Sequence, residues 1–228
     1  AEKTYIAGDD DQAIFKWAGA DVDHFIALKE EVNDIKVLNQ SYRIPGGPIH
    51  ELSQNIINKV QNRFDKDYKP RDEEGVLKRY SDITQVDMSK GNWLVLSSAN
   101  YFLDDAKDLC EIQGWYYQFK GRNSIPLKLL MALNNWEAWR KDAQLNHLEI
   151  KNIYEYLGSH VLPGFQKGKT LHSDTKYLMR DCRAEHGLVT DSVWYEAFEG
   201  LDPMTETYIR NMRANGEMIN KNPRIKMS

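Results

Sequence analysis

Gln12 follows three consecutive aspartates, and Phe15 and Trp17 come soon after it, in the block GDDDQAIFKWAGA that fills positions 8–20. A carboxamide donates at one end and accepts at the other. It therefore suits sensing a phosphate and orienting a water without adding charge. Phe15 and Trp17 stand two apart, with Lys16 between them, so on extended backbone the two rings share a face. An aromatic face stacks a base for about 1–3 kcal/mol whatever the sequence of the strand. A second block, LNQSYR at positions 38–43, ends in a ring and a guanidinium, Tyr42 and Arg43. The planar fork of arginine matches phosphate oxygens two at a time. An arginine finger of this kind contributes about 10³–10⁵ in rate, roughly 4–7 kcal/mol. These residue types outline a phosphate sensor, a base-stacking platform and an arginine finger.

Positioning them requires elements whose ends carry polar groups. Residues 4–7 read as a short buried strand ending at Gly8, and residues 35–38 as a second strand delivering Tyr42 and Arg43. The carboxyl ends of strands are where open α/β sheets place ligands. Asp21, Val22 and Asp23 open a helix running to about Glu31, with acids where the helix dipole favours them. Pro45-Gly46-Gly47-Pro48 breaks the chain, and Ile49, Leu52, Ile56, Ile57 and Val60 then mark one apolar helical face. Positions 62–74 are charged and aperiodic and read as a surface loop. Strands follow at 76–80, 93–96 and 116–119, with a helix at 102–113 stopped by Gly114. Strand, helix, strand in that order implies a parallel sheet with crossover helices. Helices are expected at 126–143, 147–157, 174–185, 192–198 and 204–215, and Ile225 and Met227 open another strand.

The two blocks resemble the third and fourth conserved motifs of superfamily 1 DNA helicases of the UvrD/Rep/PcrA type. Those patterns are close to GDxxQSIYxWRGA and QNYRS, and their order and spacing here follow the family. The resemblance implies an α/β fold: part of a RecA-like parallel sheet with crossover helices, of the second core domain of P-loop NTPases, plus a mainly helical insert. Residues 1–32 would end the first RecA-like domain, 33–145 begin the second, 146–221 form the insert and 222–228 return to the second. NWLVLSSA and WYYQFKG match core segments, and PRIKMS resembles the strand leading into the fifth motif. The implied activity is ATP-dependent translocation on single-stranded DNA with duplex unwinding, 3′ to 5′. By the same resemblance Gln12 touches the γ-phosphate and attacking water, and Tyr42 stacks on adenine. Arg43 reaches the γ-phosphate, and Trp17 stacks a base with Phe15 nearby. Magnesium would be held by an acidic motif upstream of position 1. Lys16 and Ala18 depart from the family, where Gly precedes the tryptophan and Arg follows it, so the positive charge moves two places.

No G-x-x-x-x-G-K-[ST] phosphate loop occurs in the sequence, and no DExx motif precedes Gly8. These residues alone are therefore expected to turn over no ATP and to hold neither ATP nor Mg²⁺ tightly. Their expected partners are single-stranded DNA, ATP and the remainder of a helicase, with self-association possible through an unpaired strand at 4–7. The alternative is a non-catalytic, helicase-derived module that binds single strands or a protein. A small-molecule α/β enzyme ranks last, for want of a nucleophile, base or metal constellation.

The bulk composition fits these readings. With 228 residues, 41% hydrophobic, 28% charged and a net charge of −4, the sequence supports real cores but not a dedicated duplex binder. Two cysteines, Cys110 and Cys182, lie in helix-like stretches without partners at metal spacing, which fits a reducing compartment. No apolar run reaches the length of a membrane span and no signal peptide is evident, so the expected location is the cytoplasm of a bacterial or phage-infected cell. Asp9 is expected to accept hydrogen bonds in its turn, with Asp10 and Asp11 solvated or paired across domains, since three successive carboxylates cannot all face one ion from a regular element. Lys66, Lys69, Arg71, Lys78 and Arg79 form a loose basic cluster, read first as a solvated face and second as able to brush a phosphate backbone. Trp136, Trp139, Trp194, Tyr195 and Phe198 are expected in the core of the insert, and His24 and His50 at the surface or in caps.

Overall fold

A computed structural model of the chain describes residues 4–12, 19, 21–162, 168–217 and 222–228. They form a mixed α/β structure with small, mostly parallel sheets and eight α-helices among the described residues. The chain divides into two compact units, residues 1–79 and residues 80–228.

In the first unit, helix α1 (Val22–Ala27) is capped by Asp21, which accepts the His24 N–H at 3.0 Å, and continues as a 3-10 turn, Leu28–Glu30. Strand β1 (Gln40–Gly46) and helix α2 (Pro48–Ile57) meet at Gly47, whose φ of +67° is left-handed. Glycine takes that conformation without steric cost, and Pro48 is suited to a first helical turn. Strand β2 (Lys69–Glu74) pairs with β1 in parallel. Among the described residues of this unit only Asp10 and Ser41 are buried, and none of its hydrophobic residues is.

The second unit holds the core. Its elements are β3 (Trp93–Val95), α3 (Asp104–Gln113), β4 (Tyr117–Phe119), β5 (Arg122–Asn123), α4 (Leu127–Trp139), β6 (Leu145–Asn146), α5 (His147–Tyr154), β7 (Lys176–Tyr177), α6 (Met179–Glu185), α7 (Trp194–Ala197), α8 (Pro203–Ala214) and β8 (Ile225–Met227). The chain leaves β3, crosses through α3 and returns as β4, leaving a slot between them. β8 fills it, pairing in parallel with both, Ile225 opposite Trp93 on one side and Tyr117 on the other. β5 closes the sheet as an antiparallel edge. The inward residues of β8, Ile225 and Met227, are buried and Lys226 is exposed, the period-two pattern of a strand covered on one face.

Helix α4 buries Leu129, Leu130, Leu133, Trp136 and Trp139, the helical spacing seen in the sequence. The Trp136 and Trp139 rings meet edge to face at 6.2 Å, and Trp136 meets Phe198 at 6.0 Å. Both indole N–H groups are satisfied, by the carbonyls of Ser192 and Tyr177. Helix ends follow ordinary capping chemistry: Asn146 and Glu149 form a reciprocal capping box on α5, and Asp202 caps α8 ahead of Pro203. α3 ends at Gly114 in the left-handed region, φ +67°, with the Trp115 N–H returning to the Cys110 carbonyl at 2.8 Å. Among the described residues no helix is long and apolar enough to cross a membrane.

Several expected elements differ. Residues 4–7, 35–38 and 76–80 form no strands: Tyr5 is 87% exposed, and Leu38 and Val76 are also exposed. Apolar content alone makes no strand where no neighbour supplies a ladder. β1 starts five residues later than the strand expected at 35–38, so Tyr42 and Arg43 lie within it and not beyond its end. The segment 62–74, expected as loop, contains β2, whose charged residues point to water while its backbone pairs with β1. Tyr195 is 39% exposed rather than core, its ring covered by the Arg210 guanidinium at 3.8 Å. Trp136, Trp139, Trp194 and Phe198 are buried as expected.

Candidate functional site

Residues 10–12 wind into one 3-10 turn directly after Gly8 and Asp9. A Cβ at Gly8 would stand 2.6 Å from the Phe25 ring of α1, which would have to shift to admit it. The turn gathers the three aspartates onto one side. Their carboxylate oxygens lie within 4.8 Å of one another, so three successive carboxylates do converge here, against expectation, because the backbone curls and does not extend. The cation they meet is the ammonium of Lys66, 2.7 Å from Asp9, 2.5 Å from Asp10 and 2.9 Å from Asp11. Arg63 adds a two-pronged contact, Nε to Asp11 Oδ1 at 2.9 Å and Nη2 to Asp11 Oδ2 at 2.8 Å. The Phe64 N–H donates to Asp10 Oδ2 at 2.6 Å. The Phe64 ring meets Phe25 edge to face at 6.3 Å, and Asn62 donates to Asp23 of α1.

The network is partly shielded: the Asp10 side chain is 1% exposed and that of Lys66 14%. Burial pushes the Asp9 carboxyl up, but the Lys66 and Gln12 donors outweigh it and hold the group below the ordinary carboxylate value. Burial acts likewise on Asp11, where Arg63 and Lys66 prevail and lower it. Burial would lower the Lys66 ammonium, yet its three carboxylate partners raise it well above the usual lysine range. Hydrogen bonding to Asp11 raises Arg63.

Gln12 is exposed, and its Nε2 donates to Asp9 Oδ2 at 2.5 Å. Asp9 also accepts the Asp11 N–H at 3.2 Å, the turn role expected for it. Tyr42 and Arg43 sit on an irregular part of β1. Gln40 faces Lys69 and Pro45 faces Arg71, so the residues between arch out of the ladder. The Ser41 hydroxyl holds the arch by accepting the Arg43 and Ile44 N–H groups at 3.2 and 3.0 Å. Gln40 anchors its base, donating to the carbonyls of Pro70 and Ser41 at 2.9 and 3.0 Å. In consequence the Tyr42 ring is 84% exposed and Arg43 is exposed beside it.

Among the described residues no hydrogen bond or ion pair joins Gln12 to Tyr42 or Arg43. Phe15, Lys16 and Trp17 lie outside the described residues. Of the basic cluster, Lys66 is held by the aspartates, Arg71 pairs with Glu73 at 2.9 Å and Lys69 with Asp67 at 3.9 Å, and Lys69, Arg71, Lys78 and Arg79 lie exposed, as a solvated face would. His50 is also engaged, its Nε2 bonding the Tyr68 carbonyl at 2.8 Å. Cys110 and Cys182 are free and buried, and burial pushes their thiols up to about 12 and about 11. The His186 Nδ1 and the Thr170 hydroxyl are hydrogen-bonded at 2.8 Å. The partners of the aspartates, Arg63 and Lys66, were missed as site residues; the one signal for them is opposite charge between DDD and the RFDK run. Comparison of the chain with protein-family models, with curated proteins and with solved structures gives no match.

Proposed function

We propose that this chain is the part of an ATP-dependent DNA helicase of the UvrD/Rep/PcrA type that runs from the third motif to just before the fifth. The single observation that carries this reading is the pair of blocks GDDDQAIFKWAGA and LNQSYR, in family order and spacing. The geometry supports it in three ways. The Tyr42 ring and Arg43 stand exposed on an arch braced by Ser41, open to a nucleotide. Gln12 is exposed on a turn fixed from behind. β8, from PRIKMS, inserts between two parallel strands, which suits a strand returning to a RecA-like sheet.

On this reading Tyr42 stacks on adenine, Arg43 neutralises charge developing on the γ-phosphate, and Gln12 orients the attacking water. Trp17 and Phe15, with Lys16 between them, stack and neutralise the single-stranded track. ATP, when bound, supplies the phosphoanhydride that is hydrolysed. The aspartates beside Gln12 are committed to Lys66 and Arg63, so they are not magnesium ligands in this arrangement. The binding-module alternative loses much of its basic loop, because Lys66 and Arg71 already have acidic partners.

Fluorescence anisotropy with a labelled oligothymidine tests the track. Trp17→Ala is expected to weaken binding by roughly 5- to 150-fold, the equivalent of one stacked base. Affinity unchanged by that substitution would overturn the assignment of Trp17 and the translocase reading with it.

A further inference from the structure

Among the described residues the Gln12 side chain is held at one end only. Its Nε2 donates to Asp9 Oδ2 at 2.5 Å, and the other carboxylate oxygen, Asp9 Oδ1, takes the Lys66 ammonium at 2.7 Å and the Asp11 N–H at 3.2 Å. Turning the carboxamide over would set its oxygen against a carboxylate oxygen, two acceptors with no hydrogen between them. Asp9 therefore fixes which way round the carboxamide lies. That leaves Oε1, an acceptor, and one amide hydrogen without a partner among the described residues. Asp9 is in turn held by Lys66, which belongs to a loop anchored separately through Arg63, Phe64 and Asn62.

We propose that Lys66 and Asp9 are positioning residues for Gln12: the chain Lys66 to Asp9 to Gln12 sets the carboxamide with Oε1 outward, where it accepts a hydrogen from the attacking water. This rests on the helicase reading and deepens it, because it states which end of Gln12 acts and what orients it. An acceptor aimed at the water lines up its lone pair for attack, whereas a carboxamide free to turn presents its donor end for part of the time. Lysine suits the anchor: a compact ammonium with three hydrogens reaches all three carboxylates, as observed. Asp10 and Asp11 keep the ammonium in place and do not touch Gln12.

Two measurements test this. The first reads the clamp in this chain by ¹⁵N–¹H correlation spectroscopy of the Gln12 side-chain amide, assigned by its loss in Gln12→Glu. The expectation is two well-separated amide protons, one shifted downfield by the Asp9 carboxylate. Lys66→Met should collapse them to free-carboxamide values and Lys66→Arg should restore most of the separation. Free-carboxamide values in the unsubstituted chain would overturn the proposal. The second reads ATP hydrolysis by the polypeptide translated from the gene together with its flanking sequence. Lys66→Met and Asp9→Ala are expected to lower kcat tenfold or more with KM for ATP unchanged, and Lys66→Arg to recover activity. A broken clamp with undiminished kcat would overturn the positioning role. A polypeptide that turns over no ATP while the clamp signals stand would instead overturn the helicase reading, leaving the clamp as structure alone.

Discussion

Arg63 grips Asp11 with both arms of its fork, Nε on Oδ1 at 2.9 Å and Nη2 on Oδ2 at 2.8 Å, across 52 positions of sequence. The pair is mostly shielded, with 13% and 17% of the two side chains exposed. Lysine cannot reproduce the two-pronged contact. Arg63→Lys is expected to destabilise the first unit by about 1.5–3 kcal/mol, the range for hydrogen bonds to charged groups. Hydrogen exchange of the Phe64 amide, which donates to Asp10 beside this pair, reads the effect. Unchanged protection would show that the contact contributes nothing.

Acid should release the same network. Asp9 and Asp11 lie below the ordinary value of 3.8 when folded. Their contribution to stability is fully present above that value and is lost as pH falls through the lowered folded values. Lys66 lies above its ordinary 10.5, so its contribution is full below 10.5 and is lost as pH rises through the higher folded value. A titration of the Asp11 amide shift, whose N–H the Asp9 carboxylate accepts, should therefore be flat through neutral pH and break only in strong acid or strong alkali. A midpoint at about pH 5 or higher on the acid side would contradict the assigned partners.

The clamp also marks the limit of what the sequence discloses. Elements with strong periodicity or clear end signals were legible: the α4 stripe of Leu129, Leu133 and Trp136, the stop at Gly114, the break before Pro48 and the terminal strand at Ile225. Residues 4–7 and 35–38 misled because apolar content was read as burial, while Ile6 and Val37 are exposed. β2 was hidden because its charged residues are those of an edge strand, where pairing is a property of the backbone. Gln12, Tyr42 and Arg43 are proposed from residue type and spacing, and the structure leaves all three exposed. Lys66 was not legible: a contact 57 positions from Asp9 leaves no local pattern, and charge complementarity is shared by many loops.

Gly114 supports α3 from below. Its φ is +67°, and a Cβ there would stand 2.4 Å from the Asn211 carbonyl carbon of α8. Gly114→Ala adds left-handed strain of about 1–2 kcal/mol and overpacking of about 1–3 kcal/mol. Urea denaturation followed by tryptophan fluorescence should show the second unit weakened by the sum, and an unmoved midpoint would refute this packing.

Trp136 is fully buried and bonds the Ser192 carbonyl at 3.0 Å. Trp136→Ala is expected to cost about 3–5 kcal/mol. Circular dichroism melting of the second unit reads that loss. A change under about 1 kcal/mol would mean that the cavity collapses freely.

The central claim is that Tyr42 and Arg43 face a nucleotide whose hydrolysis Gln12 assists. The most direct measurement is steady-state ATP turnover, stimulated by single-stranded DNA, for the polypeptide read from the gene with its flanking sequence. Arg43→Ala should lower kcat by about 10³-fold or more, as for an arginine finger, while this chain alone turns over no ATP with or without that substitution. Turnover that is indifferent to Arg43, or that the isolated chain sustains and loses on Arg43→Ala, would contradict the account.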